Sequence, residues 1–246
     1  MAAAGGSGGG SGSRALTSDE ANRLAITRFR NYETGGRAVT ITVPGTGGSL
    51  VITGSVDYRT RLGYGVVRGT GRDTSSDGLI EWTATSVLVD PMTNAPAVAP
   101  AAPPTSGWYS RTLQKTGSTL DSSLAIALAL GSDRPDNAQL LPQDGAAWVG
   151  KDQVAGHQVD VMTGPAALSA GVGAGSGAGS EATSGAAPGS GSGPAGTVRY
   201  WIGADGAMYR VQAAVASETQ PTVIDFDTHQ YTPVPSAAVT TSAPGQ

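Results

Sequence analysis

The chain has no cysteine among its 246 residues. That excludes disulfides, thiolate metal sites and a cysteine nucleophile. Charge is also scarce: 15 Lys and Arg against 19 Asp and Glu leave a net charge of −4. No basic patch of the kind a nucleic-acid binder carries is visible. Arg23, Arg28 and Arg30 are interleaved with Asp19, Glu20 and Glu33, as on a solvated helix face. Nucleic acid is therefore not an expected partner. No apolar run reaches the ~18–20 residues that a bilayer-spanning helix needs. The longest, 124–130, suits a buried helix. Residues 1–13 lack the basic and apolar regions of a signal peptide. They form an Ala/Gly/Ser tether of the sort that follows a processed export signal.

Catalytic patterns are equally sparse. His157 and His229 are far apart in sequence, and a zinc site would need a third N, O or S ligand held with them. Isolated surface histidines are expected. The Gly/Ser runs are linker-like and supply no nucleophile elbow. Gly45-Thr46-Gly47-Gly48 joins two strand signals, whereas a phosphate loop opens a helix. Asp225 and Asp227 share a strand face, which reads as solvated surface. Neither a cofactor nor a metal is expected, and nothing supports an enzyme.

What is present is strand and helix periodicity. Thr17-Ser18-Asp19-Glu20 is a capping box, and Ala21, Leu24, Ala25, Phe29 and Tyr32 follow at helical spacing. Gly35-Gly36 ends this helix, expected over 18–34. The period then becomes two: Val39, Ile41 and Val43, then Leu50, Ile52, Val56 and Tyr58, make a hairpin across a turn at 44–48. Strands are expected at 62–69, 79–84 and 86–90. Gly54, Gly63 and Gly65 inside this meander mark bends. Five prolines make 91–107 a loop, and 108–113 reads as a short strand. A second helix is expected at 118–130, with Leu120, Leu124 and Leu128 on one face, and one more helical turn at 135–141. Strands follow at 146–150, 156–163, 197–202, 208–215 and 221–227. Tyr209, Val211, Ala213 and Val215 share one face of the fourth of these. Asp205-Gly206 suits a two-residue hairpin turn with Gly206 at positive φ. The block 166–196 has one charge and no aromatic residue, so it reads as a floppy insertion in a sheet connection.

Several segments resemble a recurrent pattern. Trp148-Val149-Gly150, Val154-Ala155-Gly156, Val159-Asp160-Val161 and Tyr200-Trp201-Ile202 with Ala204-Asp205-Gly206 and Arg210 are similar to the C-terminal part of envelope lipoproteins of the Lol carrier superfamily. The same pattern occurs in the actinobacterial LppX and LprG type lipid carriers. The opening 16–25 and the segment 130–135 resemble a narrower group of actinobacterial lipoproteins. The resemblance implies a curved antiparallel half-barrel with helices over its concave face and lipid between them. The chain departs from it in having no lipobox cysteine.

The expected fold is α+β: a strongly curved antiparallel half-barrel of about nine to eleven strands, with two helices on its concave face. Residues 1–15 are a flexible tether, 16–231 one domain with flexible insertions at 91–107 and 164–196, and 232–246 a flexible tail. The expected function is non-enzymatic binding of an acyl-chain or similar apolar ligand at the cell envelope. The expected location is extracytoplasmic, and peripheral to the membrane if an upstream anchor exists. Ile41, Ile52, Trp82, Leu124 and Leu128 are the expected ligand-lining residues. The alternative is a structural or protein-interaction module whose core is filled.

Overall fold

The structure is a computed structural model of the chain and describes residues 12–71, 76–114, 117–164, 198–215 and 218–236. The insertion expected at 166–196 lies outside the described residues. Helix α1 spans Ser18–Thr34. Its capping box forms as expected: the Glu20 amide donates to Thr17 Oγ1 at 3.3 Å, and the Thr17 amide donates to the Glu20 carboxylate at 2.8 Å. Gly35, at φ 84°, closes the other end by donating to Asn31 and Tyr32 carbonyls, and a side chain at that φ would be strained. The buried stripe differs from the expected one. Phe29 and Tyr32 are only half-buried, whereas Thr27 and Asn31 are fully buried. The helix is turned so that Asn31 can meet a buried arginine on the next strand.

Among the described residues, twelve antiparallel strands form one sheet in the order β1-β8-β9-β10-β11-β12-β2-β3-β4-β5-β6-β7. They are β1 (Arg14–Ala15), β2 (Gly36–Val43), β3 (Leu50–Asp57), β4 (Leu62–Gly69), β5 (Gly78–Trp82), β6 (Ser86–Pro91), β7 (Tyr109–Thr112), β8 (Ala147–Val154), β9 (His157–Gly164), β10 (Val198–Ile202), β11 (Met208–Ala213) and β12 (Thr222–Phe226). Two sequential meanders, β2–β7 and β8–β12, are joined where the last strand pairs with β2, Ile224 opposite Ile41. Helix α2 (Thr119–Ala129) lies between the meanders in sequence. Eleven of the strands match expected ones. The twelfth, β1, falls in the presumed tether, where Arg14 pairs with Trp148 and Ala15 with Ala147. The presumed tail from 232 is likewise engaged. The Thr232 amide donates to Gly36 O at 2.8 Å, and Ser55 Oγ donates to Pro233 O at 3.3 Å.

Both helices pack on one face of the sheet. Leu24 and Ala25 of α1 and Leu124, Ile126 and Leu128 of α2 join Val39, Ile41, Ile52, Trp82, Tyr200 and Ile224 in one apolar cluster. The opposite face of β4–β6 is buried too, under the proline-rich 91–107 segment. Arg68 donates to the carbonyls of Ala95 and Pro96 at 2.6 Å, and the Trp108 ring lies 6.5 Å from that of Tyr64. This explains why β5 is buried along its whole length and does not alternate.

Three local expectations are corrected. No helical turn begins at Pro135, because the Asp136 amide is spent on Ala25 O of α1 at 2.9 Å and Asp136 is paired with Arg28. Turns begin instead at Asn137 and run to Gly145. The Asp205-Gly206 hairpin has three loop residues, not two: Gly203 donates to Ala207 O, and Gly206 donates back to Gly203 O. Gly206 does take positive φ, 82°, as three-residue loops ending in a left-handed residue require. Finally, the register between β10 and β11 shifts, with Trp201 opposite Arg210 but Ile202 opposite Met208. This bulge inserts Tyr209 and turns it to the face opposite Val211. Met208 takes the core position, and Tyr209 packs with Trp201, Val159 and Val161.

Candidate functional site

The five residues expected to line a ligand site come together. Ile41 and Ile52 are direct cross-strand partners. Trp82 lies on the same sheet face, and Leu124 and Leu128 face it from α2. All five are buried. The Trp82 ring lies flat over Gly63, its partner on β4: a methyl added to Gly63 would fall 2.2 Å from Cε2 and Cζ2.

Polar groups in this interior were not expected. The alternation that puts Val39, Ile41 and Val43 inside also puts Arg37 inside, and it is 2% exposed. Its Nε donates to Thr228 O at 2.8 Å, Nη1 to Asn31 Oδ1 at 2.5 Å and Nη2 to Met208 O at 3.2 Å. The guanidinium stacks 4.5 Å over the Phe226 ring. Burial pulls its pKa below the usual arginine value, since desolvation disfavours the charged form. Among the described residues no carboxylate lies within ion-pair distance of it.

Other buried donors are also unmatched. The Tyr58, Tyr64 and Tyr200 hydroxyls, Thr27 Oγ1 and Trp82 Nε1 have no hydrogen-bond partner among the described residues. Such groups are costly when left unsatisfied. The other three tryptophans show the contrast. Trp108 donates to Pro104 O at 2.7 Å, Trp148 to Asp160 at 3.0 Å and Trp201 to Asp152 at 2.8 Å. Burial also pushes the Tyr58 and Tyr200 hydroxyls well above the usual tyrosine range.

Two buried carboxylates elsewhere, Asp121 and Asp160, are well served. Asp121 accepts two bonds from Arg111 at 2.5 and 2.6 Å and one from the Gln114 amide. Asp160 accepts from Arg23, Trp148 and Lys151. Burial opposes its ionisation, but these donors outweigh that and hold it below the usual aspartate value. Asp225 is paired with Arg210, and Asp227 accepts from Thr40; burial, with the Asp225 charge adding to it, raises the Asp227 pKa. The histidines are not isolated: His157 and His229 lie 6.4 Å apart, both against Tyr209. No group of three metal-ligating side chains occurs among the described residues.

Against known proteins, no family model matches the chain, and no curated protein matches it.

Proposed function

We propose that the chain is a non-enzymatic binder of an acyl-chain ligand at the cell envelope, with the ligand held between the sheet and the two helices. The observation that carries this reading is the set of unmatched buried donors, Tyr58, Trp82, Tyr200 and Thr27, within or beside an otherwise apolar cluster. A core selected only for packing avoids such groups or pairs them. Gly54, Gly63 and Gly65 lie on the helix-facing side of β3 and β4. They support a sheet bent round the helices as a half-barrel. The resemblance to Lol, LppX and LprG type carriers points the same way.

A second reading has its own support. Ile41, Ile52, Trp82 and Leu124 are wholly buried within one contiguous cluster, as in a structural module with a filled core. Leu124→Trp separates the two. In a carrier the larger ring occupies ligand space, weakening uptake of a fluorescent fatty acid with little loss of stability. In a filled core it overpacks and costs roughly 1–3 kcal/mol. A parent that binds no fluorescent fatty acid, together with a strongly destabilised variant in a urea melt, refutes the carrier reading.

A further inference from the structure

The chain beyond β12 forms a strap at the end of the β12–β2 pair. The Asp227 amide donates to Ala38 O at 3.1 Å, the backbone leaves the ladder over 228–231, and the Thr232 amide returns to Gly36 O at 2.8 Å. The return is close: a methyl group on Gly36 would fall 1.8 Å from Thr232 O. Ser55 Oγ then holds Pro233 O at 3.3 Å. The buried Arg37 ties the strap down from β2, its Nε donating to Thr228 O at 2.8 Å.

His229 lies within this strap, and histidine is the side chain that ordinarily titrates near neutrality. Its ring is 4.1 Å from Tyr209 on β11 and 6.4 Å from His157 at the start of β9. The Met208 carbonyl, which accepts from Arg37 Nη2 at 3.2 Å, also faces the His229 ring. Arg37 and His157 are the positive groups acting on that ring, and Asp205 of the β10–β11 loop is the carboxylate acting on it. Asp205 gives limited relief, because its side chain is exposed and lies 4.0 Å from Arg30 of α1. Arg210 beside Tyr209 is paired with Asp225. At the far end of the strap, Arg59 and Tyr231 meet over Gly35, and Arg59 is bonded to the Tyr32 and Glu33 carbonyls. A charged His229 would therefore add a cation beside Arg37, whose buried charge water screens poorly.

We propose that residues 228–232 are an acid-released strap with His229 as its trigger. At neutral pH the uncharged ring rests against Tyr209 and the strap is closed. Protonation sets a second cation beside Arg37, and the strap lifts from β2, giving up the Thr228 bond and opening Arg37 to water. Burial, then the Arg37 charge, pull the His229 pKa below the usual histidine value, with His157 adding to them and Asp205 and the Met208 carbonyl opposing. A group with a depressed folded-state pKa contributes fully above its unfolded value, and the contribution is lost as pH falls through the folded one. Closure is therefore complete above the ordinary imidazole range and weakens below it. Asp227, at the base of the strap, has the opposite sign: burial raises its pKa, so protonating it on acidification relieves a cost and does not open the strap. The proposal is independent of the acyl-chain reading.

The test is amide hydrogen exchange of the full chain by NMR between about pH 7.5 and 5.5, across the imidazole range. Exchange is corrected for its intrinsic dependence on pH, and the Ile52 amide of central β3 serves as the internal control. Protection of the Thr232 amide falls severalfold on acidification while that of Ile52 holds. His229→Gln keeps a donor for the Met208 carbonyl and carries no charge at either pH. Its Thr232 protection stays at the parent's neutral-pH level throughout, and a thermal melt at neutral pH checks that the variant folds. Thr232 protection that does not change with pH in the parent overturns the proposal, leaving a plain structural loop with a titrating surface histidine. A loss that persists in His229→Gln overturns it too, because another group then drives the response. So does a loss at Ile52 as large as at Thr232, since the whole sheet is then opening and not the strap.

Discussion

Changing glycine to alanine at two strand positions should shift stability in opposite directions. Glycine in a strand costs roughly 0.5–1 kcal/mol relative to alanine through backbone entropy. Alanine should therefore stabilise wherever its methyl group fits. Gly150 on β8 meets that condition: a methyl there meets no heavy atom within 4 Å. Gly63 on β4 does not. Its methyl would sit 2.2 Å from two ring atoms of Trp82 and 2.6 Å from a third. Trp82 is fully buried in the main cluster, so the ring cannot swing into solvent. Overpacking of this kind costs roughly 1–3 kcal/mol, which exceeds the entropic gain. Gly150→Ala should thus be neutral or stabilising by up to about 1 kcal/mol. Gly63→Ala should lose up to about 2.5 kcal/mol net, the overpacking cost less the entropic gain. Urea unfolding of both variants and the parent, compared at equal m-values, measures the difference. If Gly63→Ala is as stable as Gly150→Ala, then Trp82 does not lie over Gly63.

Three further outcomes follow from other sites. Gly206→Val should cost about 1–2 kcal/mol in a denaturant melt, because a β-branched residue resists φ 82° and its Cβ would lie 3.0 Å from Ile26; an unchanged midpoint refutes this. Asp121→Ala should cost about 2–3 kcal/mol, below the full penalty for breaking a buried pair because Arg111 is partly exposed, while Asp121→Asn loses less; equal losses would show that the charge alone matters. Glu20 is held at about 2, chiefly by Arg14 and despite burial, with help from Thr17. Its contribution to stability is therefore complete above the ordinary glutamate pKa and lost as pH falls toward 2. The gap in Tm between the parent and Glu20→Gln should close over that range, and a gap that persists at pH 2 refutes the assignment.

Most of the fold was legible because local chemistry and tertiary packing agree. Thr17, Glu20 and Gly35 bound α1 by capping rules alone. The alternation in β2 correctly places Val39, Ile41 and Val43 inside. Most of the misreadings, the length of the Gly203–Ala207 hairpin loop aside, involve contacts between residues distant in sequence. Arg14 joins the sheet only because Trp148 offers a strand edge and an aromatic face, its guanidinium 4.2 Å over the ring. The 91–107 segment is tied down by Arg68 and Trp108. The bulge at Tyr209 depends on the β10–β11 register and leaves no mark in local periodicity. Arg37 is different. Its place in the alternation with Val39 was visible, but a charged residue at a strand start reads as the end of the apolar face. That habit hid Arg37, which the alternation itself places inside.

The treatment of charge elsewhere in the molecule makes Arg37 informative. Glu20, Asp121 and Asp160 are all buried carboxylates, and each meets an arginine with good geometry. Asp160 recruits a lysine and an indole as well. This chain therefore compensates these buried anions from its own side chains, as desolvation demands. Arg37 has only neutral acceptors, two carbonyls and an amide oxygen, plus an aromatic face. Exchanging it for methionine would remove that desolvation cost while keeping much of the stacking on Phe226. It would also leave Asn31 Oδ1 and the Thr228 and Met208 carbonyls without their donor, a cost that opposes the exchange. The three bonds it makes tie β2 to α1 and to the backbone at Met208 and Thr228, so the buried charge acts as a cross-link between elements distant in sequence.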